Sequence, residues 1–154
     1  MDKKYLASRI ATASDVGLVV ILYEGLIDKL KSGIVYIEKR DEEAFKKTLD
    51  KGKNILVELV VTLRGDSEFA NNLRSIYIYI NNLMTQGLLK REVKKLEEAI
   101  QILKPLYDGW KELEQNEFKE NKRSSRPEII TGATYGKTNL NDYVINHENK
   151  WGRG

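Results

Sequence analysis

Apolar residues recur at steps of three and four along four successive segments, and this period limits the possible folds more than any other feature. The first segment follows Ser14, the second follows Asp41, the third follows Asp66 or Ser67, and the fourth begins at Val93. The connections between them are only a few residues long, which is typical of antiparallel neighbours. The sequence therefore predicts an all-α fold, an antiparallel up-down-up-down four-helix bundle.

Several residues mark where these helices begin and end. Ser14 and Asp41 are expected N-caps, since their side chains can accept hydrogen bonds from the first free backbone N–H groups. Gly65 is expected to close the second helix and Gly87 to stop the third. Pro105 falls inside the fourth apolar face and predicts a bend in one continuous helix.

The composition changes near residue 115. Hydrophobic residues, 41% of the chain, concentrate before this point, whereas Asn, Gly, Ser and Thr collect after it. A polar segment of this kind buries too little apolar surface to fold alone. We therefore expect a bundle domain over residues 1–114, with an N-terminal arm over 1–13, and a flexible polar tail over 115–154.

The residue inventory argues against catalysis. The chain has no Cys, and its one histidine, His147, lies in the tail, so neither a thiolate site nor the His-containing di-metal site of other bundles can be drawn. No phosphate-binding glycine loop is present. We expect no catalytic residue, no bound metal and no cofactor.

Charge and hydropathy exclude two classes of partner. The 26 Lys and Arg residues nearly balance 23 Asp and Glu, so the net charge of +3 does not favour nucleic-acid binding. The apolar run from Gly17 to Tyr23 is too short to span a bilayer. The sequence predicts a soluble protein of the cytoplasm.

Some helices carry more apolar surface than a bundle needs. Val20, Ile27 and Ile34 lie off the core stripe of the first helix, and Ile78 lies on a polar face of the third. Two interpretations are open. Either the arm, the tail or a second copy covers this surface, or it is a groove for an amphipathic helix of a partner.

Three motifs in register resemble a known family. They are Tyr5 and Ile10 followed by Thr12-Ala13-Ser14 and Ile21-Leu22-Tyr23-Glu24-Gly25, then Ala70-Asn71-Asn72-Leu73 before Ile76-Tyr77-Ile78-Tyr79, and last Leu106-Tyr107-Asp108-Gly109-Trp110. Together they resemble FliS, the flagellin-specific export chaperone family of the bacterial flagellum. Tyr107 is a departure, because the family commonly has Arg there.

The resemblance implies a function. Members of the family bind the disordered C-terminal segment of flagellin in the bacterial cytosol, prevent its premature polymerisation and deliver it to the type III export gate. For this chain it implies docking on the gate protein FlhA through Tyr5 and Leu6, and an arm that includes Ile10 and covers the groove when flagellin is absent. Some members also bind the anti-sigma factor FlgM.

Helical spacing and the resemblance together give the candidate flagellin-binding residues, Val20, Tyr23, Ile27, Ile34, Tyr77, Ile78 and Tyr79. Tyr23, Tyr77, Tyr79 and Trp110 are equally compatible with aromatic core residues whose polar tips find partners. The alternative function is a helical adaptor or homodimer that buries the surplus surface without a flagellin client.

Overall fold

A computed structural model describes residues 3–123 of the chain. This range contains five α-helices and no strand: α1 Lys3–Thr12, α2 Asp15–Lys39, α3 Glu42–Val61, α4 Glu68–Lys90 and α5 Val93–Arg123. The predicted all-helical class is confirmed. None of these helices is both long and apolar enough to cross a membrane. His147 and the rest of 124–154 lie outside the described residues.

The predicted N-caps are present. The Ser14 hydroxyl accepts a hydrogen bond from the backbone N–H of Gly17 at 3.0 Å, and the Asp41 carboxylate accepts one from Ala44 at 3.2 Å. Ser67, rather than Asp66, caps α4. These bonds satisfy backbone donors that have no partner inside the helix.

Two predicted helix ends are wrong. Gly65 does not close α3, which ends at Val61 with Thr62 as its C-cap. Gly87 does not stop α4, which continues to Lys90 and ends at Arg91 in the left-handed conformation. Gly87 is instead buried against α5, where an added Cβ would lie 2.8 Å from Leu96 Cδ2. The glycine is therefore explained by the close approach of a neighbouring helix, and not by a turn.

Two further features were incompletely predicted. The N-terminal arm, to which the sequence assigned no secondary structure, is mostly the helix α1. The helix α5 includes Pro105 and continues through Arg123, so it passes the expected boundary after residue 114.

The large helices pack around one apolar core. Helix α2 packs on α3 and α5, and α4 packs on the same two helices. The contacts run in opposite order along neighbouring helices. Gly25 of α2 approaches Ile55 of α3, for example, whereas Gly33 approaches Leu49.

Candidate partner-binding surfaces

Four of the seven candidate groove residues lie in the interior. Val20, Tyr23, Ile27 and Tyr77 are all buried members of the core, and Val20 is only 1% exposed. Ile34 is half-buried against the same core. The packed core of the described helices therefore buries this part of the surplus apolar surface.

The two buried tyrosines meet each other. The hydroxyl oxygens of Tyr23 and Tyr77 lie 2.7 Å apart, and their rings form an edge-to-face pair with centroids 6.3 Å apart. Burial raises the pKa of Tyr23 to about 12, against the opposing effect of hydrogen bonds from Tyr77 and Trp110. Burial also raises the pKa of Tyr77. Both tyrosines are therefore aromatic core residues whose hydroxyl groups have a hydrogen-bond partner, the alternative given for them above.

Ile78 and Tyr79 lie at the surface, on different sides of α4. Ile78 is 63% exposed, whereas the Tyr79 hydroxyl donates a hydrogen bond to Glu98 of α5. That bond raises the pKa of Tyr79. Because consecutive residues of a helix point about 100° apart, these two side chains do not share a face.

Ile78 belongs to a larger apolar surface between α3 and α4. The Lys53 ammonium donates a hydrogen bond to Thr85 Oγ1 at 2.6 Å. These two residues therefore lie on adjacent sides of α3 and α4. Residues four, seven and eight positions after Lys53 share its face, and Ile78 lies seven before Thr85 on the same face. We call these residues the α3–α4 strip, and they are Val57, Val60, Val61 and Ile78, each between 38% and 63% exposed.

The N-terminal helix α1 is held by one charged cluster. Both terminal guanidinium nitrogens of Arg9 donate to the carboxylate of Glu24, at 2.6 and 2.8 Å. The Tyr107 hydroxyl donates to the same carboxylate at 2.9 Å. We call Arg9, Glu24 and Tyr107 the arm clasp, because it joins α1 to α2 and α5.

The arm clasp is electrostatically coupled. The Arg9 hydrogen bond holds the pKa of Glu24 below its ordinary value, and Tyr107 acts in the same direction. Partial burial and the bond to Glu24 raise the pKa of Tyr107 to about 12. Near neutral pH the Glu24 carboxylate is therefore ionised and the Tyr107 phenol is neutral.

The arm clasp lies on the side of α2 that also carries Val20 and Ile27. Val20 and Ile27 are one turn before and one turn after Glu24, so the three residues share a side of the helix. On α1 itself, Tyr5 is 61% exposed and Ile10 is 45% exposed, whereas Leu6 is half-buried. The structure thus places two arm candidates in solvent and one partly against the protein.

No group of three or more His, Cys, Asp or Glu side chains that could hold a metal ion occurs within residues 3–123.

A family comparison decides what these surfaces belong to. The family model described as flagellar protein FliS matches residues 1–117 of this chain. The chain belongs to the FliS family.

Curated FliS relatives match over most of their own length. A flagellar secretion chaperone FliS from Bacillus subtilis (strain 168) is 28% identical over 116 residues, which are 75% of this chain and 87% of the relative. The Escherichia coli (strain K12) protein of that name is 28% identical over 108 residues, 68% of this chain and 79% of the relative. The Campylobacter jejuni protein (serotype O:6) is 26% identical over 115 residues, 73% and 90%.

Sequence reasoning missed the arm clasp of this FliS-family chain. In the sequence Tyr107 is a departure from the FliS pattern, and nothing there assigns a role to Arg9. The partners are 15 and 83 residues apart along the chain, so no local spacing connects them. Their one sequence signal was Glu24, an acid within the apolar first motif.

Proposed function

We propose that this FliS-family chain is a non-enzymatic chaperone of the bacterial cytosol that binds the disordered C-terminal segment of flagellin. Binding prevents premature polymerisation, and the complex then delivers flagellin to the export gate. The observation that carries this proposal is the exposed α3–α4 strip on a chain of this family. An apolar strip of four side chains on adjacent helices suits an amphipathic client helix.

The energetics of the α3–α4 strip are adequate for such a client. Full burial of a Val- or Ile-sized side chain contributes about 1.5–3 kcal/mol. Four partly exposed side chains and their counterparts on the client can offset the ordering cost of a disordered segment, about 2–5 kcal/mol or more. Because Ile78 is 63% exposed and was expected on a polar face, core packing does not account for it.

A second client surface lies under α1. We propose that the arm covers Val20 and Ile27, which share a side of α2 with Glu24 of the arm clasp, in the absence of flagellin. Tyr23 and Tyr77, which are fully buried, support the core beneath this surface. Ile34, which is half-buried, and Tyr79, which is exposed, stay proposed client contacts. The client thus competes with α1 at one surface and binds the α3–α4 strip without competition.

The arm has a separate role at the gate. We propose that Tyr5 and Leu6 dock on FlhA, with Ile10 as the arm's further apolar contact. The exposure of Tyr5 and Ile10 supports this role, since neither side chain is needed inside the described fold. FlgM is a further proposed partner, and competition with flagellin measures it directly.

The proposed architecture is an antiparallel four-helix bundle of α2, α3, α4 and α5. The opposite order of contacts along neighbouring helices supports it. For α4 and α5, for example, Phe69 packs on Trp110 whereas Gly87 approaches Leu96. We keep residues 1–114 as the proposed bundle domain and 115–154 as the proposed tail, with α5 extending across the boundary.

Calorimetric titration with a flagellin C-terminal peptide tests the function. We expect saturable heat and a gain of helical circular dichroism at micromolar concentrations. Ile78→Asp should weaken binding at least tenfold, because it introduces a charge into the α3–α4 strip. Val35→Asp is the matched control, since Val35 is also exposed but lies on α2. No heat and no helix gain would favour the adaptor or homodimer alternative, which sedimentation at the same concentrations detects.

A further inference from the structure

A cavity of about 320 Å³ lies at the end of the bundle away from the start of α2, where α2 gives way to α3. Its lining includes Tyr36, Ile37, Arg40, Glu42, Phe45 and Arg91. Arg40 follows Glu24 by 16 residues of continuous helix, which is roughly 24 Å at 1.5 Å per residue. The cavity is therefore separate from the arm clasp, and Phe45 lies three turns of α3 before the start of the α3–α4 strip.

Two arginines in an uncommon backbone conformation line this cavity. Arg40 has φ 59° and Arg91 has φ 52°, and they are the non-glycine residues with positive φ in the described range. Each follows the last residue of a helix, a position where glycine is preferred because it has no Cβ to clash. Glycine would avoid this clash, so each arginine side chain is present at a cost in backbone strain.

The cavity combines an apolar floor with charged side chains of both signs at its mouth. Phe45 is buried, and Tyr36 and Ile37 are half-buried. Arg91 is exposed and donates from Nε to Glu42 at 2.7 Å. The exposed Arg40 guanidinium makes no hydrogen bond or ion pair within residues 3–123. Asp41 also lines the cavity, and its carboxylate is engaged as the N-cap of α3.

We propose that this cavity is an anchor site for a partner protein that presents an apolar side chain next to a carboxylate. The apolar side chain lies on Phe45, Tyr36 and Ile37, and the carboxylate binds Arg40 and takes the place of Glu42 on Arg91. A bidentate arginine–carboxylate pair is geometrically specific, which suits an anchor of one or two residues. The volume is at the small end of ligand pockets, which fits side chains better than a large cofactor.

The site goes beyond client binding, because it lies on other residues than the α3–α4 strip and the face under α1. Its failure would leave the chaperone proposal intact, and a chain that bound no flagellin could still bind this ligand.

Three small probes separate the two halves of the recognition. They are N-acetyl-phenylalanine, which has a ring and a carboxylate, its neutral amide, which lacks the charge, and acetate, which lacks the ring. Nuclear magnetic resonance titration of the full chain should give saturable shifts at Ile37, Arg40, Phe45 and Arg91 with the first probe. We expect at least tenfold weaker binding of the amide and of acetate.

Substitution by glycine removes each cation without a folding cost, since glycine accepts positive φ. Arg40→Gly and Arg91→Gly should each weaken binding of N-acetyl-phenylalanine by about tenfold or more, and their thermal unfolding temperatures should not fall. Lys51→Ala, which removes a positive charge from an exposed position of α3 outside the cavity, is the control and should bind as the parent does.

Four outcomes would overturn the proposal. They are equal binding of the acid and its amide, inorganic phosphate binding as tightly as the acid, unchanged binding by both glycine variants, and the absence of saturable shifts. Shifts of the same signals on dilution without a probe would assign the cavity to a second copy of this chain. Tighter probe binding after replacement of Glu128, Asp142 and Glu148 by Gln would assign it to the chain's own C-terminal segment. Either result would also contradict the proposal that a partner protein occupies the cavity.

Discussion

The hydroxyl groups of Tyr23 and Tyr77 lie 2.7 Å apart inside the protein and connect α2 with α4. These two helices otherwise pack mainly on α3 and α5. The Trp110 side chain of α5 also hydrogen-bonds the Tyr23 hydroxyl. One polar group therefore joins three helices in an apolar interior, and the two FliS motifs that contain these tyrosines meet there.

Substitution of the two tyrosines should have unequal effects. Tyr23→Phe leaves both the Tyr77 hydroxyl and the Trp110 indole without this partner, at a cost of about 1–3 kcal/mol for each unsatisfied buried group. Tyr77→Phe leaves Tyr23 its bond to Trp110 and should cost about 1 kcal/mol. Urea unfolding measures both, and the double variant should cost less than the sum. Equal single effects would contradict the shared role of Tyr23.

Alkaline pH should destabilise the protein through the same pair. Burial raises the pKa of Tyr23 to about 12 and raises that of Tyr77, against about 10 in an unfolded chain. The unfolded chain therefore loses these protons first as pH rises. The stabilisation is complete below about pH 10 and is lost as pH rises toward 12. Urea unfolding at pH 8, 9.5 and 11 should give a steeper fall for the parent than for Tyr23→Phe/Tyr77→Phe, and parallel curves would refute this origin.

Loss of the Glu24 charge should release the arm while the bundle stays folded. Glu24→Gln removes the ion pair with Arg9, and we expect amide exchange in α1 to rise about fivefold, or about 1 kcal/mol. Exchange in the interior of α3 should not change. Because Arg9 lowers the pKa of Glu24, the parent should keep α1 docked at pH 5 and release it in more acidic solution.

A matched control for the arm clasp is Glu43→Gln, which removes an exposed pair with Lys47. This variant should leave exchange in α1 as it is in the parent. Unchanged exchange in Glu24→Gln would mean that the apolar contacts of α1, and not the arm clasp, hold the arm.

Replacement by alanine should stabilise the protein at Gly109 but not at Gly33. A Cβ at Gly109 would meet no atom within 4 Å, so Gly109→Ala should stabilise the protein by about 0.5–1 kcal/mol through helix propensity. A Cβ at Gly33 would lie 2.8 Å from Leu49 Cδ2 and 3.3 Å from Leu96 Cδ1. Gly33→Ala should therefore be neutral or destabilising. Thermal unfolding of both variants checks the contrast, and a stabilising Gly33→Ala would contradict it.

The features predicted well from sequence are those set by neighbours along the chain. Apolar period gave the four long helices, and the caps at Ser14 and Asp41 are bonds to residues three positions later. The helix end at Gly87 was wrong, because the approach of Leu96 from another helix, and not a local turn, accounts for that glycine. The candidate site was predicted in part: Ile78 is exposed as expected, whereas Val20 and Ile27 are buried in this conformation.

By itself, the sequence determined that this chain forms helices, lacks a bundle histidine and carries the FliS motifs, because each of these is a property of residue type and short spacing. Only the tertiary structure decided which apolar residues remain at the surface. The α3–α4 strip, the arm clasp and the cavity between Arg40 and Arg91 are all built from residues far apart in the chain. Which face of a helix is covered depends on the packing of its neighbours, and helical periodicity alone carries no record of where those neighbours lie.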